Sequence, residues 1–135
     1  MTSSPEMFTV PAAHITQDDL AGIAPALAHD NCSFDVLVRE LMSGHAQLWR
    51  FKAEDAVGLA VTRIENTTSD RELRIWLAAG NGPHRYKDFI LETLVKYAKK
   101  ASCVRLVTQT TPSLAEYYQK NLHFRHMGVV IGLEI

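Results

Sequence analysis

Between Glu72 and Thr108 the chain reads strand, glycine turn, long helix, strand, and this order constrains the fold more than any other feature. Glu72 to Ala79 alternates Leu73, Ile75 and Leu77 against Arg74, Trp76 and Ala78, the period of a strand with one covered face. Gly80-Asn81-Gly82 interrupts the alternation, and Pro83 suits the first helical position, where its missing N–H is no loss. Tyr86, Phe89, Ile90, Leu94, Tyr97 and Ala101 then share one helical face, with Lys87, Glu92, Lys96, Lys99 and Lys100 on the other. Val104 to Thr108 reads as the next strand. Two strands of one sheet joined by a helix run parallel, through a right-handed crossover. The unit therefore demands a sheet with helices packed on its faces.

The rest of the chain extends that sheet. Ala46 to Lys52 and Ala56 to Ile64 are strand-like, and their connections at 53–55 and 66–71 are short and polar. With Glu72 to Ala79 they are expected to pair as an antiparallel meander. Phe8-Thr9-Val10 reads as a short first strand ended by Pro11. Thr16 is a good N-cap with Asp18 and Asp19 in the first turn, and Leu20, Ile23, Ala24 and Leu27 share a face. A second helix is expected from Ser33, with Phe34, Leu37, Val38 and Leu41 as its apolar stripe and Gly44 just past its end. Thr111-Pro112 opens a last helix, and Val129 to Ile135 closes the chain as a strand. The expected class is α/β: a mixed, mostly antiparallel sheet with helices on both faces and its fourth and fifth strands parallel. Residues 1–7 read as a leader and 8–135 as a single domain. Ligands in such sheets sit beyond the carboxyl ends of neighbouring parallel strands, here Ala79–Pro83 and Thr108–Pro112.

Charge and cysteine content narrow the function classes. A net charge of −1 over 135 residues gives no electrostatic basis for nucleic-acid binding. The two cysteines, Cys32 and Cys103, lie far apart in apolar surroundings and read as reduced core thiols. No apolar run approaches the roughly 18 residues that span a bilayer, and the first residues lack the basic and apolar parts of a signal peptide. A cytoplasmic protein without a membrane partner is the expectation. The six histidines show no close spacing of metal-site type, so no metal is expected.

The segment Tyr117-Tyr118-Gln119-Lys120-Asn121-Leu122-His123-Phe124, taken with the element order, resembles the GNAT superfamily of N-acetyltransferases. Members commonly end their last helix with a phrase like F-Y-E-K-x-G-F. The resemblance implies a GNAT-like fold over roughly Phe8 to Ile135, acetyl-CoA as cofactor, and a small-molecule or protein amine as acceptor. It assigns Tyr118 as the acid that protonates the departing thiolate. Glu72, at the start of the fourth strand, is a candidate base, and backbone N–H groups near Trp76–Ala78 would polarise the thioester carbonyl.

Several positions depart from the family pattern. The family's Gly before the terminal Phe is His123. Its pyrophosphate loop, R/Q-x-x-G-x-G/A, admits two registers here. In one, Gly82 stands at the basic position and Arg85 and Lys87 at the glycines. In the other, Gly80-Asn81-Gly82 is the G-x-G and Leu77 takes the basic position. Leu77, Ala78, Ala79, Gly80, Asn81, Gly82, Arg85 and Lys87 are thus the cofactor-binding candidates on this side, and Thr110 and Ser113 on the other, where many members carry an Asn. The eleven residues after Phe124 suffice for one strand plus a stub, where the family has a hairpin. An open sheet edge, and a homodimer through it, are expected. Two readings stay open: a divergent acetyl-CoA-dependent N-acyltransferase, or a non-catalytic GNAT-like binding or assembly protein. In length and loop the chain also looks similar to small GNAT-like proteins encoded by tailed bacteriophages.

Overall fold

The computed structural model describes residues 4–29, 32–109, 125–127 and 130–134. Seven strands form one sheet: β1 Glu6–Val10, β2 Ala46–Ala53, β3 Ala56–Asn66, β4 Arg71–Asn81, β5 Arg105–Gln109, β6 Arg125–Met127 and β7 Val130–Glu134, in the order β1-β2-β3-β4-β5-β7-β6. β4 and β5 are parallel and every other neighbouring pair is antiparallel. The helices are α1 Gln17–Ile23, α2 Phe34–Ser43 and α3 Lys87–Lys100. The expected mixed sheet with a parallel β4–β5 pair and helices on both faces is the observed architecture.

The helix ends follow their caps. Thr16 and Asp19 form a capping box at the start of α1, each side chain taking the other's backbone N–H. The Ser33 hydroxyl accepts from Val36 N–H at the start of α2, and Gly44 ends that helix in the left-handed region, at φ 82°. Beyond Ile23 the chain tightens into a 3-10 helix, Ala24–His29, rather than continuing as α1. Pro25 lacks the N–H that an α-helix would need there. Pro83 likewise opens a 3-10 turn, Pro83–Tyr86, and α3 proper starts one turn later than expected, at Lys87.

Each face of the sheet carries its own core. On one, Leu20 and Ile23 of α1 and Leu37 and Leu41 of α2 pack on Leu48, Val61 and Leu77. On the other, Leu94 and Ala98 of α3 pack on Trp49, Leu73 and Leu106, and Phe89 and Tyr86 extend the contact to Phe51. The indole N–H of buried Trp49 donates to Thr62 Oγ1 at 2.9 Å, and that hydroxyl donates to Gln47 Oε1. The buried indole N–H and the Thr62 hydroxyl are thereby satisfied.

Three expectations are corrected. Leu73, Ile75 and Leu77 do not share a face. The β3–β4 register passes from Val61↔Leu77 to Thr62↔Ile75, so Trp76 is the extra residue of a β-bulge. Leu73 and Ile75 therefore pack on the α3 side, and Leu77 and Ala79 on the α1–α2 side. The single strand expected after Phe124 is a hairpin, β6 and β7. β7 covers the outer edge of β5 from Arg105↔Glu134 to Gln109↔Val130, so the edge expected to stand open is paired and the three-residue β6 becomes the margin. The first strand also begins at Glu6, inside the expected leader.

Candidate active site

The bulge sets the geometry of the β4–β5 seam. β5 pairs with β4 from Glu72↔Arg105 to Ile75↔Thr108, and this register ends at the bulge. The Thr108 hydroxyl reaches the Ile75 carbonyl at 3.4 Å at the last paired step. Beyond it β4 runs on to Asn81, and among the described residues no strand pairs with Leu77–Asn81 on the β5 side. A bulge bends its strand and increases the local twist, and this one falls one residue past the last step paired with β5. The β5 side of Leu77–Asn81, past the last paired step, is here termed the wedge; it lies at the carboxyl ends of two parallel strands, the usual ligand position in such sheets.

The amino end of the same seam is closed. Arg105 Nη1 lies 2.8 Å from Glu72 Oε2, and Arg105 Nη2 lies 3.5 Å from Asp70 Oδ2. Both Glu72 and Arg105 are largely enclosed, with side-chain exposures of 11% and 16%. Glu72 stands four residues before the bulge, about 13 Å along a strand. The candidate base is therefore an anchor of the seam, held in an ion pair away from the wedge. Glu65, at the end of β3, is also engaged, at 2.8 Å from Arg74 Nε.

The turn after β4 is packed on its own chain. Gly80 has φ 155°, and a Cβ there would collide with the Val57 carbonyl and approach Gly58 Cα to 2.7 Å. Its bareness admits β3, which lies across the sheet from β5. Gly82, at φ 82°, lies under the guanidinium of Arg85, whose carbon would be 3.1 Å from a Cβ at that position. Arg85 Nη2 donates to the Asp55 carbonyl at 2.6 Å and its Nε lies 3.3 Å from Asp55 Oδ2. The Tyr86 hydroxyl donates to Asp55 Oδ1. Asp55 belongs to the tight turn between β2 and β3, so the β4–α3 turn is strapped to a neighbouring hairpin. The Tyr86 hydroxyl chiefly, with the Arg85 charge adding to it, holds the Asp55 carboxyl below its ordinary value of 3.8 and outweighs desolvation.

The remaining candidates are distributed as follows. The Leu77 side chain is buried in the α1–α2 core, so its backbone alone faces the wedge. Ala78 is exposed and Ala79 half-buried. Asn81 ends β4, and Lys87 opens α3 with its side chain exposed. Tyr118, Thr110, Ser113 and His123 lie outside the described residues. Sequence reasoning missed Asp55; a carboxylate in a two-residue hairpin turn carries no signal of a partner 30 residues away. Cys103 is buried, and that burial raises its thiol above its ordinary value. Among the described residues no group of three His, Cys, Asp or Glu side chains is arranged to hold a metal ion, and no helix is long and apolar enough to cross a membrane.

No protein-family model and no curated protein matches the chain. Solved structures do. A chain of the NatC complex bound to Gag peptide and CoA superposes with a TM-score of 0.71 at 10% identity, over 98% of this chain and 99% of that one. FeeM, an N-acyl amino acid synthase from uncultured soil microbes, gives 0.69 at 9% identity, over 99% and 92%. A putative GNAT-family acetyltransferase from Desulfovibrio desulfuricans gives 0.65 at 12% identity, over 97% and 99%. At such identities the likeness is one of fold, and the fold is the GNAT fold.

Proposed function

We propose that the protein is an N-acyltransferase that draws an acyl thioester along the carboxyl half of β4 and passes the acyl group to an amine. The observation that carries this reading is the bulge at Trp76, just past the last step paired with β5, after which no described strand pairs with β4 on that side as far as Asn81. A pantetheine arm is an extended chain with two amide groups. It can satisfy the N–H and C=O groups of such an edge as an added strand would. In the reaction the amine nitrogen attacks the thioester carbonyl carbon, the C–S bond breaks, the ammonium proton leaves to a base and the thiolate takes a proton. A β4 backbone N–H beside the bulge is the proposed donor to the carbonyl oxygen, a role that removes negative charge where it develops. Tyr118 is the proposed acid. Since Glu72 is bound to Arg105, deprotonation falls to another group or to water.

Titration with acetyl-CoA tests the reading. At a hundredfold excess over the dissociation constant, a ligand bound by the folded state alone stabilises it by about 2.7 kcal/mol. A rise in melting temperature is expected, and turnover with an amine is expected to fall in Tyr118→Phe. An unchanged melting temperature at millimolar acetyl-CoA contradicts the reading.

A second reading, a non-catalytic GNAT-like binding or assembly module such as a phage accessory protein, is favoured by a different observation. The turn that presents phosphate-binding N–H groups in the family pattern is filled here by Arg85 and strapped by Asp55. The same titration separates the two readings.

A further inference from the structure

The two halves of the candidate site are in opposite states. The wedge beside Leu77–Asn81 has the length and edge to take an extended amide-containing arm. The turn at Gly80–Tyr86, where a nucleotide's diphosphate would have to sit, is consumed by the protein itself. Pro83 has no N–H, and the Arg85 N–H is spent on the Gly82 carbonyl at 3.2 Å. The surface of Gly82 is covered by the Arg85 guanidinium, and the bare side of Gly80 is filled by the β3 backbone. The Arg85 charge is matched by Asp55. His84 and Lys87 are the exposed bases left at this turn, and solvent-facing bases of this kind contribute to phosphate affinity as screened point charges.

We infer that the acyl donor is recognised as a pantetheine thioester and that the nucleotide of CoA is not read. The inference rests on the acyltransferase reading and names the substrate class of the same site. The recognised chemistry is the acylated pantetheine arm, whether as a small free thioester or as the prosthetic arm of a carrier protein. The group-transfer step is unchanged: the acyl carbon passes from sulfur to the amine nitrogen, and the arm departs as a free thiol.

Calorimetry on the full chain with three ligands tests this: S-acetylpantetheine, acetyl-CoA and an acetylated holo-acyl carrier protein. The first two are expected to bind within a factor of five of each other, with the same dependence on salt between 50 and 300 mM, values on the order of those that expose phosphate contacts. The Lys87→Ala variant is expected to leave that ratio in place. A carrier protein that binds more tightly than the free arm identifies the carrier as the source, and equal binding identifies the free thioester. Acetyl-CoA binding more than fivefold tighter than S-acetylpantetheine, with a steeper salt dependence, overturns the inference and leaves the acyltransferase reading standing. Failure of all three ligands to bind overturns both.

Discussion

The carboxyl half of β4 and the turn that follows it are neighbours in sequence, yet among the described residues one has no strand beside it on the β5 side and the other is packed on β3 and Asp55. Along Leu77–Asn81 no described strand continues the pairing with β5, which ends at Ile75, one residue before the bulge at Trp76. In the turn, two glycines, an arginine and a tyrosine are used up on β3 and on Asp55. A glycine-rich turn after a strand invites a phosphate-binding interpretation. What decides the matter is which atoms fill the space where the Cβ is missing. Here those atoms belong to the chain itself, so the part of the site that would hold an extended arm and the part that would hold a diphosphate are separated in function.

The strongest perturbation of this contrast is deletion of Trp76. Without the extra residue, Leu77 follows Ile75 directly and keeps both its partner Val61 and its face, so β3 and β4 pair as an unbroken ladder and the local bend is lost. The rise in melting temperature with S-acetylpantetheine or acetyl-CoA is expected to disappear, in a chain that still melts cooperatively. A ligand-induced rise like that of the parent chain would break the link between the bulge and the wedge.

Next in size is a pair of glycine substitutions. Gly80→Ala meets the backbone of β3 as well as an unfavourable φ, and should cost about 2–3 kcal/mol. Gly44→Ala has the φ penalty but open space around its Cβ, and should cost about 1 kcal/mol. Equal costs in denaturant unfolding would mean that close packing is not what Gly80 provides.

The smallest effect is on pH. The Asp55 carboxyl is held below its ordinary value of 3.8, so the strap to Arg85 and Tyr86 is complete above that pH and is lost as the pH falls through the lowered value. Ring resonances of Tyr86 should move in that acid window while the amides of Leu77–Asn81 stay still. Movement of both together would show that strap and wedge are one unit.

Much of the frame was legible from the residues. Thr16 and Asp19 announced the start of α1, and Ser33 and Gly44 both ends of α2, through local chemistry, and β2 to β5 followed alternation and short polar connections. The bulge was not legible, because Leu73, Ile75 and Leu77 are all apolar and alternate without a break. Only the pairing with β3 shows that Trp76 is supernumerary. The hairpin of β6 and β7 was missed because Arg125-His126-Met127 is too short and too polar to carry a strand period. At the candidate site, Ala79 to Pro83, where the parallel-strand rule put one side of a pocket, lie at and just after the end of β4, while 110–112 of its other side lie outside the described residues. The roles of Arg85 and Glu72 were hidden because each is settled by a partner far along the chain, Asp55 and Arg105.

The most direct test of the contrast is amide chemical-shift mapping of the isotope-labelled chain with S-acetylpantetheine and, separately, with acetyl-CoA. The account predicts that both ligands shift the amides of Trp76–Asn81 and that neither shifts those of His84–Lys87. Shifts at His84–Lys87 with acetyl-CoA alone would contradict it, because they would show that the turn strapped by Asp55 opens to receive the nucleotide.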